Sequence, residues 1–395
     1  MTEWKQCTIA DLGNVVTGKT PSTKAAEFWD GTVHFVTPKD IQGLKHITDT
    51  ERRITDEGLQ KVKGSALPPR AVCVSCIGNI GYTGMTTQRC VSNQQINSII
   101  VNGDNYPDFV YYLMRSLWPF FKNYEGQSTT LSILNKTQFS KIAATVPDKA
   151  TQRRIAAVLS ALDEKIATNT KINDNLEQQA QAILSHYMET YSFDLRPLSK
   201  IADVIDCLHS KKPEQVDDSE YQLIQLDNIR DDGFLDLAAC KYMISKCDYD
   251  NWTRKCEIVE GDCVITNVGR IGAVSQAPFG THAAMGRNMT CIRLKADCNL
   301  RYYFITVLLS QHMRMQVRSN TDEGTIMGAL NVKNIPKLLF PIFGDQTMRE
   351  LEETLLPIRK QIEYLNLMNQ NLSAMRDALL PKLISGEIDV SAIDI

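Results

Sequence analysis

Residues 155–187 read IAAVLSALDEKIATNTKINDNLEQQAQAILSHY, and residues 351–383 read LEETLLPIRKQIEYLNLMNQNLSAMRDALLPKL. In the first stretch the residues of one face recur at alternating steps of four and three, and the second stretch repeats this register 196 residues later. An apolar repeat of 3.5 residues held over about five heptads is typical of a coiled-coil seam. The two stretches therefore predict two long helices.

Both predicted seams contain an asparagine at the same step, Asn173 and Asn369. A polar residue in a seam costs stability but disfavours wrong registers, so each helix is expected to pair with the other, in antiparallel orientation. Pro357 lies within the second stretch and is expected to kink or restart that helix. The other predicted seam residues are apolar: Ile155, Leu159, Leu162, Ile166 and Leu176 in the first helix, and Leu351, Leu355, Ile358, Ile362 and Leu372 in the second.

The repeat extends upstream of both helices. Gly78-Asn79-Ile80-Gly81 corresponds to Gly269-Arg270-Ile271-Gly272, and each turn follows a β-rich apolar run. These features predict an α+β chain made of two similar mixed-sheet domains and two long helices that form an antiparallel coiled coil with pseudo-twofold symmetry. The expected segments are a first domain, a central helix, a second domain and a C-terminal helix with its tail: residues 1–147, 148–190, 191–342 and 343–395.

Composition indicates a chain from a reducing cytoplasm. The 395 residues include no apolar run of membrane-spanning length, and the N-terminal residues lack a signal segment. Eleven cysteines, an odd number at irregular spacing, favour free thiols over a disulfide framework. The formal net charge is −3, and only residues 1–147 lean basic, with 15 Lys and Arg against 12 Asp and Glu. Any surface for nucleic acid must therefore come from a local arrangement of charges.

Two motifs resemble known sites. Residues 13–20 fit the phosphate-binding pattern G-x-x-x-x-G-K-[ST], but Pro21 follows them and no strand supplies an acidic partner for Mg²⁺. Cys73, Cys76 and Cys90 resemble half a zinc site, but the second repeat lacks these cysteines, so packing thiols are the simpler interpretation. We expect no metal and no cofactor. The motifs of the common hydrolases, metalloproteases and amino-methyltransferases are absent from the sequence, which favours a reader over a catalyst.

Several segments resemble one family. The run from Leu12 to Ser22 and the run Phe35-Val-Thr-Pro-Lys-Asp-Ile41 are similar to the opening of a target recognition domain in the specificity subunits of type I restriction-modification systems. Residues 152–166 and 379–388 resemble the central and C-terminal helical regions of that family. The resemblance spans essentially the whole chain. It is weaker where the second domain opens, at residues 201–206.

The resemblance implies a non-catalytic subunit that reads a bipartite site on double-stranded DNA. It also implies docking of two methyltransferase subunits, which modify adenine, and of two restriction subunits. Asn and Arg can read base edges with two hydrogen bonds, and Lys contacts phosphates. The candidate base contacts are Asn79, Arg270, Gln94, Gln95, Asn228, Arg287 and Asn288, and the candidate phosphate contacts are Lys19, Lys39 and Lys211.

Other interpretations of the sequence remain open. Each candidate residue could be an ordinary surface turn residue. The whole chain could be an interaction scaffold with two protein-binding domains, or an enzyme that uses the loop at residues 13–20. Steep dependence of binding on salt would favour DNA reading over a scaffold, and ATP binding would favour the enzyme.

Overall fold

The computed structural model describes residues 4–41, 43, 45–126, 132–209, 211–296, 298–322 and 328–393. The chain divides into two compact units. Unit 1 comprises residues 1–166 and 371–395, and unit 2 comprises residues 167–370. Each unit therefore contains one globular part and one portion of each long helix. Within the described ranges, no helix is both long and apolar enough to cross a membrane.

The described residues of unit 1 form eleven strands and five short helices. The strands are β1 (Lys5–Thr8), β2 (Gly13–Thr17), β3 (Trp29–Val36), β4 (His46–Ile47), β5 (Arg52–Ile54), β6 (Ala66–Leu67), β7 (Val72–Ser75), β8 (Thr83–Thr86), β9 (Cys90–Ser92), β10 (Ile96–Val101) and β11 (Ala143–Val146). The short helices are α1 (Ile9–Leu12), α2 (Asp56–Lys61), α3 (Pro107–Ser116), α4 (Trp118–Gly126) and α5 (Lys136–Ser140).

Unit 2 contains twelve strands and three short helices among its described residues. The strands are β12 (Phe193–Pro197), β13 (Ala202–Asp206), β14 (Tyr221–Ile224), β15 (Met243–Ile244), β16 (Glu257–Val259), β17 (Cys263–Thr266), β18 (Val274–Gln276), β19 (His282–Met285), β20 (Met289–Leu294), β21 (Thr321–Asp322), β22 (Ala329–Leu330) and β23 (Leu339–Phe343). The helices are α7 (Lys246–Trp252), α8 (Arg301–Leu309) and α9 (Gln311–Ser319). The long helices are α6 (Lys149–Thr190) and, after α9, α10 (Asp345–Ser385).

Corresponding sheets occur in the two units. The strand order β2-β10-β7-β8-β4 in unit 1 corresponds to β13-β20-β17-β18 in unit 2, and the order β5-β3-β9-β6 corresponds to β15-β14-β19-β16. In each second sheet the two central strands are parallel, β3 with β9 and β14 with β19. The predicted repeat of two mixed-sheet domains is therefore present in the fold, and buried apolar residues lie between the sheets and helices of each unit.

The two long helices begin and end where their sequences allow. No glycine or proline occurs within α6, and the Asp148 carboxylate accepts a hydrogen bond from the Thr151 amide at its first turn. Gly386, at φ +78°, follows the last turn of α10. Helix α10 continues through Pro357, so the second helix does not restart there. Pro357 is exposed, so water can bind the carbonyl group that its missing N–H leaves free.

The long helices pair in antiparallel orientation within each unit. In unit 2 the Asn169 amide donates to the Asn369 side-chain oxygen at 2.8 Å, and Glu177 pairs with Arg359, so residue numbers rise along α6 as they fall along α10. In unit 1 the ends of the same helices share one apolar cluster, in which Ile155 and Leu383 are buried. No predicted seam residue is exposed. The antiparallel coiled coil expected from the heptads is confirmed.

Candidate nucleic-acid interface

In unit 1 three loops meet at one edge of the five-stranded sheet. Strand β2 ends where β10 begins, because Thr17 pairs with Asn97, and β7 ends at the same edge, because Ser75 pairs with Ile96. Two backbone bonds hold the loops together: the Gly18 amide donates to the Ile96 carbonyl group at 3.1 Å, and the Cys76 amide donates to the Gln95 carbonyl group at 2.7 Å. The loops that follow β2 and β7 and precede β10 therefore form one surface, the unit 1 edge.

The unit 1 edge carries most of the predicted contact residues of the first repeat. Lys19, Asn79 and Gln94 are exposed there, and Gln95 is half-buried. The Thr20 hydroxyl group donates to the Gln94 side-chain oxygen at 2.6 Å, which joins two loops that are 74 residues apart in sequence. The structure thus brings together side chains whose proximity could not be read from local sequence.

The turn that contains Lys39 also borders this edge. The Asn93 amide donates to the Val36 carbonyl group at 2.9 Å, so the end of β3 lies beside the loop before β10. Lys39 follows two residues after Thr37, and its side chain is 79% exposed. Its only described ion pair is with Glu51 at 3.5 Å, and both partners are exposed, so water and salt screen this contact strongly. The ammonium group of Lys39 is therefore available to bind an anion.

Unit 2 forms a corresponding edge. Asp206 at the end of β13 pairs with Thr290, and Thr266 at the end of β17 pairs with Met289. The Asn267 amide donates to the Asn288 carbonyl group at 2.8 Å, as the Cys76 amide does to Gln95 in unit 1. The unit 2 edge consists of the loops around residues 207–209, 267–272 and 286–288. Arg270, Arg287 and Asn288 are exposed on it, and Lys211, which is also exposed, follows the end of β13 by five residues.

The Gly-x-Ile-Gly turns of the two repeats share one backbone conformation. Gly78 and Gly81 lie at φ +76° and +100°, and Gly269 and Gly272 lie at φ +84° and +78°. Residues with a Cβ atom rarely adopt such backbone angles, so these four positions favour glycine. The second residues of the turns differ in their contacts. Asn79 is exposed, whereas the Arg270 guanidinium group donates to the Ile229 carbonyl group at 2.9 Å and pairs with Asp231.

Comparison with known proteins agrees with this duplicated architecture. The family model of the type I restriction modification DNA specificity domain matches residues 1–178. The type I restriction enzyme MjaIX specificity subunit of Methanocaldococcus jannaschii is 23% identical over 422 residues, which cover 99% of this chain and 95% of that protein. The HindI specificity subunit of Haemophilus influenzae is 30% identical over 183 residues, which cover 46% of this chain and 40% of that protein.

A solved structure shares the fold over nearly the whole length. The S subunit of a type I restriction-modification system from M. genitalium matches with a TM-score of 0.54 and 14% identity, and the match covers 97% of this chain and 96% of that one. The chain is similar along almost its whole length to type I restriction-modification specificity subunits, and residues 1–178 match their DNA specificity domain. The duplicated fold and the resemblance of its motifs to this family thus lead to the same assignment.

One predicted contact residue of the chain is buried. Asn228 is 1% exposed, and both ends of its side chain are bonded to backbone: the oxygen accepts from the Gln225 amide at 2.8 Å, and the nitrogen donates to the Asp236 carbonyl group at 3.1 Å. Asp40 occupies the same place in the first repeat, where its carboxylate accepts from the Thr37 amide at 2.7 Å. Asn228 shapes a turn and does not belong to the candidate surface.

The phosphate-loop look-alike has another structural role in this chain. Residues 13–17 form β2, and the chain continues past Thr20 without a helix as far as the 3₁₀ turn Ala26–Phe28, whereas a phosphate loop leads into a helix N-terminus. A Cβ atom on Gly18 would lie 2.1 Å from the Asn93 carbonyl oxygen. Gly18 is therefore needed where two loops of the edge cross, and the enzyme interpretation of residues 13–20 loses its structural basis.

The cysteines of the look-alike zinc motif are packed in the core of unit 1. Cys73, Cys76 and Cys90 are all at most 2% exposed. Burial raises the pKa of Cys73 to about 11 and that of Cys76 to about 12, and it also raises the pKa of Cys90. Among the described residues, the sulfur atoms of these three cysteines do not all lie within 4.8 Å of one another, so the look-alike motif does not converge on one point.

Proposed function

We propose that this chain is the DNA-reading subunit of a type I restriction-modification complex, and that the two edges contact the two halves of a bipartite site. The observation that carries the proposal is that exposed amide and basic side chains converge at the same edge of the corresponding sheet in both repeats, from three loops in unit 1 and from two loops in unit 2. Such side chains match the donors and acceptors of base edges and the charge of phosphates.

Within each edge the residues take different roles in this proposal. Asn79, Gln94 and Gln95 in unit 1, and Arg287 and Asn288 in unit 2, contact bases. Lys19, Lys39 and Lys211 contact phosphates, because an ammonium group is a point charge without a fixed pattern of donors. Arg270 holds the loop at residues 229–231 in place through its described bonds, and so it positions neighbours as well as offering charge.

The proposal extends to partners. The type I relatives are named as specificity subunits of restriction enzymes, so we infer that this chain directs methyltransferase and restriction subunits to DNA and is not itself catalytic. Two copies of each partner match a chain with two repeats. The long helices, which are present in both units, are the surface that we assign to this docking.

Salt-dependent binding tests the DNA-reading role. The complex of the full chain with its methyltransferase subunits is titrated with a duplex that contains the motif obtained by mapping methylated adenines in the host genome. Each phosphate contact contributes about −0.9 to the slope of log affinity against log salt concentration. We expect Lys19→Gln and Lys211→Gln each to make this slope less steep by about one. A flat salt dependence of the unmodified complex would contradict DNA reading by this surface and would favour a protein-binding scaffold.

The matched control is Lys200→Gln. Lys200 is exposed and lies just before β13, at the opposite end of that strand from the unit 2 edge. It removes the same charge from the same unit, so its slope should equal that of the unmodified complex. If Lys200→Gln changed the slope as much as Lys211→Gln, net charge and not the edge would govern binding.

A further inference from the structure

Each unit contains an ion pair that joins the long helices. In unit 1, Arg376 Nη1 lies 2.8 Å from Asp163 Oδ1, and the two side chains are 14% and 12% exposed. In unit 2, Arg359 pairs with Glu177, and the two side chains are 6% and 26% exposed. Ion pairs on the surface are screened by water, but removing one partner of a buried pair is strongly destabilising. The matching of charges at these two places is therefore important for helix pairing.

Additional bonds hold each carboxylate in its position. The Tyr112 hydroxyl group donates to Asp163 at 2.5 Å, and the Gln181 amide donates to Glu177 at 2.9 Å. The Arg359 guanidinium group also donates to the Thr306 hydroxyl group at 2.9 Å. Because these side chains are anchored, a charge of the wrong sign opposite them could not be relieved by a simple rotation into solvent.

Each long helix contributes charges of one sign to both ion pairs. Both acids, Asp163 and Glu177, lie on α6, and both arginines, Arg359 and Arg376, lie on α10. The repeat offset of 196 residues makes Asp163 and Arg359 equivalent positions in the two helices. The apolar seam and the equivalent residues Asn173 and Asn369 are alike in both helices. The seam differs between the helices at few positions, such as Asn169, whose equivalent is Leu365, and the charges add a distinction of sign.

Replacing one helix by a copy of the other shows what the charges exclude. If a second α6 took the place of α10 in the same register, Asp163 of that copy would occupy the position of Arg359 and would face Glu177. If a second α10 took the place of α6, Arg359 of that copy would occupy the position of Asp163 and would face Arg376. Each like-charge contact would occur twice in an antiparallel pair of identical helices. Both pairings of like helices are therefore penalised.

We propose that these four residues make the helix surface of each repeat select the oppositely charged helix of the other repeat and reject a second copy of its own helix. The partner that this surface fits is a heptad helix with arginines opposite Asp163 and Glu177. The consequence is a chain that pairs its own two repeats and does not assemble through identical helices of two chains. This selection concerns pairing of the helices, and it does not depend on the DNA-reading role.

Two double variants of the full chain test the proposal. Glu177→Arg/Arg376→Asp places like charges at both contacts between α6 and α10, and it places opposite charges at both contacts of each identical-helix pairing. Glu177→Arg/Arg359→Glu is the matched control: it also reverses one acid and one arginine and keeps the net charge, but it restores opposite charges between α6 and α10. Mass is measured by light scattering, and the thermal unfolding midpoint by calorimetry.

The first variant is expected to form a dimer or to unfold about 10 °C lower than the unmodified chain. The control is expected to keep the mass of the unmodified chain and to unfold within about 3 °C of it. If the first variant does not fold while the control does, that result also supports the proposal, because it is the largest possible loss of stability. The proposal is overturned if the two variants have the same mass and the same midpoint, whether both resemble the unmodified chain or both are destabilised equally.

Discussion

At the scale of single residues, Lys45 shows how a charged side chain can be buried without destabilising the fold. Its ammonium group lies 2.8 Å from Asp108 and donates to the Ser160 hydroxyl group at 2.7 Å, and its side chain is 8% exposed. It also lies 4.9 Å from the centre of the Tyr112 ring. Lys45 therefore ties a loop of unit 1 to α3 and α6 in a place where water does not compensate for a lost partner.

We expect Lys45→Met to destabilise unit 1 by about 2–4 kcal/mol, because Asp108 loses a buried partner, although it retains Arg70. The control is Lys39→Met, which removes an exposed lysine with an exposed partner and should change stability by less than about 0.5 kcal/mol. Thermal unfolding of both variants measures the difference. Equal midpoints for the two variants would mean that the contacts of Lys45 contribute no more than a surface pair.

At the scale of elements, the seam of the coiled coil is more polar than its heptads suggest. Asn169, Asn173, Asn366 and Asn369 are all at most 7% exposed within unit 2. Asn169 bonds to Asn369, but neither polar atom of the Asn366 side chain has a partner within the described part of the chain. Burying an amide group without hydrogen bonds costs more free energy than the burial contributes. Asn366 therefore lowers the stability of unit 2.

We therefore expect Asn366→Leu to stabilise unit 2 by about 1–2 kcal/mol, because it removes two unsatisfied polar atoms from a buried position. Asn175→Leu is the control, since Asn175 is an exposed residue of α6 and its replacement should change stability by less than about 0.5 kcal/mol. The unfolding midpoints are compared by calorimetry. A lower midpoint for Asn366→Leu would show that a bound water molecule satisfies the amide.

At the scale of the whole molecule, the duplication leads us to expect that each unit recognises its own part of the target. Each unit has its own core and its own edge, so a change in the loops of one edge leaves the sheet beneath the other intact. If each edge reads one half of a bipartite site, the two halves of the target should vary independently.

We expect Asn79→Ala to relax one base position in a single half of the methylated motif, at a cost of about 1–3 kcal/mol in binding to the original base. The other half should remain unchanged, because Arg287 and Asn288 belong to unit 2. Methylation mapping of cells that carry the variant measures this. Asn14→Ala is the control, since Asn14 is exposed near the opposite end of β2. Relaxation in both halves would contradict the assignment of one half to each unit.

The sequence by itself determined the two helices, their antiparallel seam, the duplication and the glycine turns. These features depend on residues close together in the chain: a heptad is complete within seven positions, and a turn that needs positive φ needs its glycines at two fixed places. The repeat offset then related the halves to each other. The resemblance to type I specificity subunits followed from motifs of the same local kind.

Only the tertiary structure decided which side chains share a surface. Thr20 bonds to Gln94 because β2 pairs with β10, and this pairing joins segments about 80 residues apart, whose register no local pattern reveals. The sequence suggested Asn228 as a base contact, because a sequence does not show whether an asparagine is exposed or buried. Only its hydrogen bonds to backbone show that it shapes a turn. The ion pairs Asp163–Arg376 and Glu177–Arg359 likewise exist only once the helices are paired, because charge matching depends on distance in space and not on distance along the chain.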